Sequence, residues 1–216
     1  MYKINLIILT IFRIMKYLLG KKKRYSNLLL QIILNKPKTI LEVGVYNGNR
    51  ALEMIQAAKI FNKNIKYFGF DLFEDFSDDI LINEHSKKPT GEKQIFEKLS
   101  KHSEVKLIKG NTIQTLPNFI TENRLDIDFI FIDGGHSIKT IEEDCKNCLK
   151  IINNKSYIIF DDYYLNDHEI VQKYGSNKTF EQFDNSKYFK KLLPFTDVFK
   201  IDQKFQYIKM FKIKLK

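Results

Sequence analysis

The chain has 216 residues, 44% apolar and 29% charged, which predicts one folded domain with a full-sized core and excludes a disordered chain. Its net charge of +10 lies at the ends: residues 1–24 carry +7, residues 200–216 carry +5, and −2 remains between them. A nucleic-acid-binding domain spreads basic residues over its binding face, so nucleic acid is disfavoured as a partner. Two cysteines cannot form a disulfide framework, and we expect a cytoplasmic protein.

Residues 1–24 precede the main domain, which we expect to span residues 25–216. The apolar run from Ile4 to Phe12 is too short for a membrane span and is followed by Arg13 and Lys16. It also lacks the cleavage site of a secretory signal. The segment predicts a basic amphipathic helix. Two interpretations remain open: peripheral contact with the inner face of a membrane through residues 21–24, or packing on the domain or on a twin subunit of a homo-oligomer.

Helical and strand patterns alternate along the domain. Helices are predicted at 25–35, 49–61, 92–100, 112–122 and 138–152, and strands at 39–43, 65–70, 105–108, 127–132 and 157–160. This alternation predicts a parallel sheet with helices on both faces. The apolar runs 197–201 and 205–213 flank Asp202-Gln-Lys204 and predict an antiparallel hairpin at the sheet edge. Cys145 and Cys148 lie on the apolar face of their predicted helix, which indicates core packing rather than a zinc site.

Carboxylates follow two of the predicted strands. Asp133 follows one strand, and Asp161 and Asp162 follow the next, 28 positions later. Ligands bind beyond the carboxyl ends of parallel strands, so these acids are expected at one edge of the sheet. Carboxylates so close together repel one another unless a cation or a proton intervenes. Oxygen ligands suit a hard divalent ion, most simply Mg²⁺.

A glycine-bearing turn, Glu42 to Gly48, connects the first strand of the domain to its helix. Glycine allows close approach of a ligand, and the start of the helix offers unpaired N–H groups to an anion. Tyr46 occupies the middle glycine position of a dinucleotide fingerprint, which disfavours a pyrophosphate turn. Asp71 ends the second strand, where a carboxylate can accept hydrogen bonds from two ribose hydroxyls. Asn111 follows the third strand as a ligand contact or as a helix N-cap.

The E-x-G-x-x-x-G turn, Asp71 and the aspartate set resemble class I S-adenosylmethionine-dependent methyltransferases over residues 38–213. Their spacing is most similar to macrocin-type sugar O-methyltransferases and catechol O-methyltransferases. The resemblance implies an α/β, three-layer Rossmann-like fold whose mostly parallel seven-stranded sheet ends in an antiparallel hairpin. It implies that S-adenosylmethionine is bound by Glu42, Gly44, Gly48, Asp71, Asn111 and Asp133, and that a divalent metal is bound by Asp133, Asp161 and Asp162.

His136 lies three residues after Asp133, where catechol-type enzymes have a lysine base. Because a histidine can take a hydroxyl proton near neutral pH, His136 and Asp133 are the predicted catalytic residues. Macrocin-type relatives have an acidic residue near this position. A capping or solvent-facing role for His136 is the alternative.

The expected reaction is metal-assisted methylation of a sugar hydroxyl in a glycan or in a glycosylated or nucleotide-linked metabolite. We expect two stretches to face the acceptor, residues 73–89 and residues 163–183, the second of which includes His168. Their aromatic residues also suit ordinary packing. A phenol or catechol O-methyltransferase is the first alternative. A nucleic-acid methyltransferase is less favoured because Asp133-Gly-Gly-His136 replaces the Asn/Asp-Pro-Pro-aromatic motif. A non-catalytic, membrane-associated binding module is the alternative from another class.

Overall fold

The computed structural model describes residues 2–84, 87–123, 126–166, 169–201 and 204–216. His168 of the predicted acceptor region, and Asp202 and Gln203 of the predicted hairpin turn, lie outside the described residues. The helices are α1 Tyr2–Leu19, α2 Arg24–Asn35, α3 Asn49–Ala58, α4 Asp78–Asn83, α5 Glu92–Leu99, α6 Thr112–Glu122, α7 Ile138–Cys148, α8 Glu169–Lys173 and α9 Asn177–Gln182. The strands are β1 Thr39–Val43, β2 Lys66–Asp71, β3 Glu104–Lys109, β4 Phe129–Ile132, β5 Tyr157–Tyr164, β6 Tyr188–Leu192, β7 Asp197–Ile201 and β8 Lys204–Leu215.

The sheet has the order β3-β2-β1-β4-β5-β8-β6, with β7 also paired to β8. Strands β1 to β5 pair in parallel, and β8 runs antiparallel to its neighbours. The predicted fold class is therefore confirmed, with one change in the strand count. The prediction of seven strands missed β6, a short strand that alternates partly buried and exposed residues and pairs with the C-terminal half of β8.

Helices cover both faces of the sheet, as the alternating pattern predicted. On one face, Leu28, Met54 and Leu99 from α2, α3 and α5 join a buried cluster that includes Tyr17 of α1. On the other face, α6 and α7 pack on the sheet, and Cys145 and Cys148 are buried in that cluster. The core interpretation of these two cysteines is confirmed.

Strand β5 extends beyond its predicted end at Phe160, so Asp161 and Asp162 lie within the strand. Its register with β8 shifts between Phe160 and Tyr163, and Asp162 has a positive φ of 55°. This is a β-bulge, an irregularity that redirects side chains and often borders active sites. The bulge explains why two consecutive aspartates can both contribute to one cluster, although neighbouring residues of a regular strand point to opposite faces.

The predicted N-terminal helix is present as α1, which packs against α2 and α3. Leu6, Thr10 and Tyr17 are buried, and the Tyr17 hydroxyl donates to the Glu53 carboxylate of α3. None of the helices within the described ranges has the length and hydropathy needed to cross a membrane. The boundary predicted between residues 24 and 25 falls inside α2, because α2 begins at Arg24.

The orientation of α1 on the domain can be tested by truncating one buried and one exposed side chain of the helix. Tyr17 is 9% exposed and Ile8 is 60% exposed. Tyr17→Ala should lower the free energy of unfolding by about 3 kcal/mol because it removes a buried aromatic ring. The matched Ile8→Ala control should change it by less than about 0.5 kcal/mol. Urea unfolding followed by circular dichroism measures both, and equal losses would contradict this orientation of α1.

Candidate functional site

The glycine turn after β1 lies directly against the end of β4. Gly44 has a φ of 89°, and a Cβ atom there would lie 2.1 Å from the Asp133 carbonyl oxygen. No side chain fits in that position. Gly48 has a φ of 67° and is the N-cap of α3, where a side chain would be strained. The two glycines therefore allow the turn to pass close to Asp133 and to present the N-terminus of α3.

Asp71 at the end of β2 holds the glycine turn in place. Its Oδ2 atom accepts hydrogen bonds from the Val45 and Tyr46 N–H groups, each at 2.7 Å. Its Oδ1 atom accepts a longer bond of 3.3 Å from the Phe73 N–H. Oδ2 thus accepts two short hydrogen bonds from the turn, whereas Oδ1 accepts only one long bond. Asp71 is fixed where a ribose-binding acid was predicted, and it also positions the turn.

Glu42 is buried beneath the same turn. It accepts a hydrogen bond from the Tyr67 hydroxyl, and burial raises the pKa of Glu42 to about 8. Its Oε1 atom is buried without a hydrogen-bond partner among the described residues. Glu42 thus presents one unpaired oxygen, and contact with a cofactor remains a prediction.

Asn111 is the N-cap of α6, since its Oδ1 atom accepts a hydrogen bond of 3.0 Å from the Ile113 N–H. The capping interpretation of Asn111 is therefore confirmed. Its predicted contact with adenine stays a prediction.

Asp133, Asp161 and Asp162 line one small cavity of about 10 Å³ at the ends of β4 and β5. The expectation that they share one edge of the sheet is met. A cavity of this size has room for about one water molecule.

Arg24 neutralises part of this acidic cluster, a role that the sequence did not indicate. Its Nε atom donates to Asp161 Oδ1 at 2.6 Å, and its Nη1 atom donates to Asp197 Oδ2 at 2.7 Å. The Nη2 atom lies 3.5 Å from Asp162 Oδ1. Arg24 is 8% exposed, so its inclusion in the lipid-facing set 21–24 was wrong. Arginine suits this position because its planar guanidinium donates to several carboxylates at once.

His136 is oriented by Glu84, another residue that the sequence did not single out. The His136 Nδ1 atom lies 2.8 Å from the Glu84 carbonyl oxygen, which can only accept, so Nδ1 carries a proton. The Glu84 carboxylate accepts bonds from the Ser137 N–H and the Thr140 hydroxyl at the start of α7. The other ring nitrogen, Nε2, lies 3.1 Å from Asp162 Oδ2. His136 thus contacts the cluster, with its side chain 27% exposed.

The pKa values of the cluster reflect its burial. Burial raises the pKa of Asp133 well above its usual range, and the Asp161 and Asp162 carboxylates raise it further. Burial and Asp161 also raise the pKa of Asp162, whereas His136 and Arg24 lower it. Arg24 alone does not offset the four carboxylates around it, so a proton or a further cation is favoured at the cluster.

Asp133, His136 and Asp162 together fit a divalent metal. Each offers one ligand atom, and these atoms lie within 4.8 Å of one another. Metal-binding histidines commonly donate their second ring N–H to a carbonyl, as His136 does to Glu84. Asp161 is not in this group: its Oδ1 atom accepts bonds from Arg24 Nε and the Asp162 N–H, and its Oδ2 atom is buried without a hydrogen-bond partner among the described residues. This group shares Asp133 and Asp162 with the predicted metal set and adds His136, and Asp161 as a metal ligand stays a prediction.

The aromatic residues after the cluster pack internally. The Tyr163 ring lies 5.3 Å from the Phe180 ring and 6.1 Å from the Phe211 ring. In the other predicted acceptor stretch, Phe73 is fully buried and Glu84 binds α7. At these positions the packing interpretation is correct.

The sequence matches the model of a known family, described as "Methyltransferase domain", over residues 41–163. No curated protein sequence matches the chain.

Solved structures share the fold at low sequence identity. The O-methyltransferase TomG from Streptomyces achromogenes, solved with SAM, has a TM-score of 0.58 and 14% identity, with 88% of this chain and 78% of TomG covered. CalS11, a TDP-rhamnose 3′-O-methyltransferase of calicheamicin biosynthesis, has a TM-score of 0.54 and 17% identity, with coverage of 96% and 92%. A putative rRNA methylase from Clostridium thermocellum has a TM-score of 0.57 and 17% identity, with coverage of 89% and 97%.

The family match covers more than half of the chain and includes the glycine turn, Asp71, Asp133 and both aspartates of β5. The strand order and the antiparallel β8 agree with the predicted fold. The chain therefore belongs to the methyltransferase domain family and is an S-adenosylmethionine-dependent methyltransferase of the class I fold.

Proposed function

We propose that this protein transfers the methyl group of S-adenosylmethionine to a hydroxyl oxygen of a small molecule or glycan, with a sugar hydroxyl as the favoured acceptor. The observation that carries the proposal is the cluster of Asp133, His136 and Asp162 next to the glycine turn. S-adenosylmethionine supplies an electrophilic methyl group, and a bound divalent metal supplies positive charge that lowers the pKa of an acceptor hydroxyl.

The protein's own contribution is orientation and charge. Asp71 and the two glycines hold the turn at the start of α3, where backbone N–H groups can bind the cofactor's carboxylate. Asp133, His136 and Asp162 are our proposed metal ligands. We favour His136 as a ligand over His136 as a free base, since its Nδ1 atom is bonded to the Glu84 carbonyl and its Nε2 atom lies beside Asp162 Oδ2 within the acidic cluster. Asp133, the other predicted catalytic residue, acts in this proposal as a metal ligand.

The acidic cluster favours a small acceptor over nucleic acid. A phosphate backbone would be repelled by carboxylates at the reacting edge. The rRNA methylase named above resembles this chain at 17% identity, a likeness that extends to the fold alone. CalS11, also at 17% identity, likewise shows the fold alone. The sugar acceptor is favoured by the aspartate spacing, which resembles that of macrocin-type sugar O-methyltransferases.

The acceptor class is tested by incubating the protein with S-adenosylmethionine, Mg²⁺ and separate panels of nucleotide sugars, phenols and RNA. S-adenosylhomocysteine release and mass spectrometry of the acceptor are the readouts. We expect a mass increase of one methyl group in a sugar. Methylation of phenols alone would favour the runner-up function, and turnover on RNA would refute the proposal.

Cofactor binding should depend on Asp71. Asp71→Ala should weaken S-adenosylhomocysteine binding, measured by calorimetry, by about 1.5–3 kcal/mol, because a charge-assisted hydrogen bond is lost. Asp75→Ala is the matched control, since Asp75 is a nearby acid that pairs with Lys109 at the surface. Unchanged affinity in a folded Asp71→Ala protein would remove Asp71 from the cofactor site.

Metal binding should depend on His136 and Asp162. In calorimetry with Mn²⁺ and S-adenosylhomocysteine, His136→Gln and Asp162→Asn should each weaken metal binding at least about tenfold, since loss even of an outer-shell partner has that effect. Asp184→Asn, a change at an exposed acid, should have no effect. S-adenosylhomocysteine affinity should survive in both cluster variants. Full turnover in excess chelator would refute the proposal that the reaction needs a divalent metal.

Arg24 should be essential for stability at neutral pH. Arg24→Met leaves buried carboxylates without their partner and should lower the free energy of unfolding by about 3–5 kcal/mol at pH 7.5. Arg24 lowers the pKa values of Asp133, Asp162 and Asp197, so its removal should raise them. Groups with raised folded-state pKa values stabilise at low pH, and the deficit should shrink toward pH 5.

Urea unfolding at both pH values measures this effect. Lys23→Met removes an exposed charge next to Arg24 and is the matched control, with little expected change. A deficit that grows as the pH falls would contradict the proposed role of Arg24.

A further inference from the structure

Helix α1 has two apolar faces, and only one of them packs against the protein. Leu6, Thr10 and Tyr17 face α2 and α3, and the Tyr17 hydroxyl binds Glu53. The other face is a stripe of large apolar side chains that are 41–85% exposed. We call this the α1 stripe, formed by Ile4, Ile7, Ile8, Ile11, Phe12, Met15 and Leu19.

The α1 stripe is continuous along the helix. Its residues recur at intervals of mainly three and four positions, so they project from one side of an α-helix. Contiguous exposed apolar surface of this kind marks an interaction site in soluble proteins. An interfacial helix has the same design, with one face apolar and lysines at its margins.

Lysines lie at both ends of the α1 stripe. At the N-terminal end, Lys3, Lys59 and Lys63 line an open cleft with Tyr2. At the C-terminal end, Lys16 is followed by Lys21, Lys22 and Lys23, all exposed. Residues 1–24 contain no acidic residue. Arg24 does not contribute to this surface, because it is bound inside the aspartate cluster.

We propose that α1 docks the protein onto an anionic membrane surface. The helix lies in the plane of the interface, with the α1 stripe against the acyl chains and the lysines at the lipid phosphates. Charge complementarity favours this occupant over a second copy of the chain. A two-fold pairing of α1 with itself would bring two lysine-rich, acid-free segments together, which is repulsive. This inference is independent of the methyl acceptor and of the metal.

Sedimentation of the full chain with vesicles tests the proposal. The protein should pellet with vesicles of equimolar phosphatidylcholine and phosphatidylglycerol, and should not pellet with phosphatidylcholine alone. The triple variant Ile8→Ser, Ile11→Ser, Met15→Ser should lose this binding. The triple variant Lys21→Ala, Lys22→Ala, Lys23→Ala should bind up to about 100-fold more weakly at low salt. Leu34→Ser, at an exposed residue of α2, is the matched control and should bind normally.

A fluorescent probe provides a second measurement on a folded protein. The chain has no tryptophan, so Phe12→Trp introduces a single reporter into the α1 stripe. Its emission should shift to shorter wavelength and be quenched by brominated anionic lipids, whereas a Leu34→Trp reporter should not respond. Unchanged S-adenosylhomocysteine binding verifies that each variant is folded.

Three results would overturn the proposal. The first is wild-type protein that stays in the supernatant with anionic vesicles at low salt. The second is an α1-stripe triple variant that pellets as well as the wild type. The third is a wild-type dimer in analytical ultracentrifugation that dissociates in the triple variant while Phe12→Trp shows no response to lipid, which would assign the α1 stripe to a second copy.

Discussion

The structure depends on how buried negative charge is held at the ends of β4 and β5. Asp161, Asp162 and Asp197 pair with a single guanidinium, that of Arg24, and Asp133 and His136 complete the group beside Asp162. A guanidinium can serve several carboxylates because its N–H groups point in fixed, different directions. The charges do not cancel, and this residual negative charge makes the edge suitable for a metal. Arg24 neutralises part of the carboxylate charge, and the charge that it leaves can attract a cation.

Backbone geometry determines which acids face the cavity. In a regular strand Asp161 and Asp162 would project to opposite faces, but the bulge in β5 and the positive φ of Asp162 bring them into one cluster. Gly44 has a corresponding role on the cofactor side, since only a residue without Cβ allows the turn to touch the Asp133 carbonyl. The two irregularities bring the predicted cofactor turn and the acid cluster together.

Local pattern and strand order made part of the site predictable from the sequence. Asp133, Asp161 and Asp162 could be assigned to one edge because each comes after an apolar run, and Asp71 and the two glycines could be assigned to the turn in the same way. Arg24 could not be found, since its partner Asp161 is 137 residues away and nothing local distinguishes it from Lys21 to Lys23. Strand β6 was missed because its pairing with β8, rather than a strong hydrophobic pattern, defines it.

The contacts of Arg24 also have a consequence for synthesis. Arg24 leaves the ribosome early, but its partners Asp161, Asp162 and Asp197 emerge only after most of the chain has been made. Because translation proceeds from the N-terminus, the guanidinium must wait for β5 and β7 before it can be buried. The sheet edge that carries the aspartate cluster is therefore among the last parts of the nascent chain to assemble. A chain released before β7 is complete would carry α1 to α9 and still have a site with unfinished charge pairing.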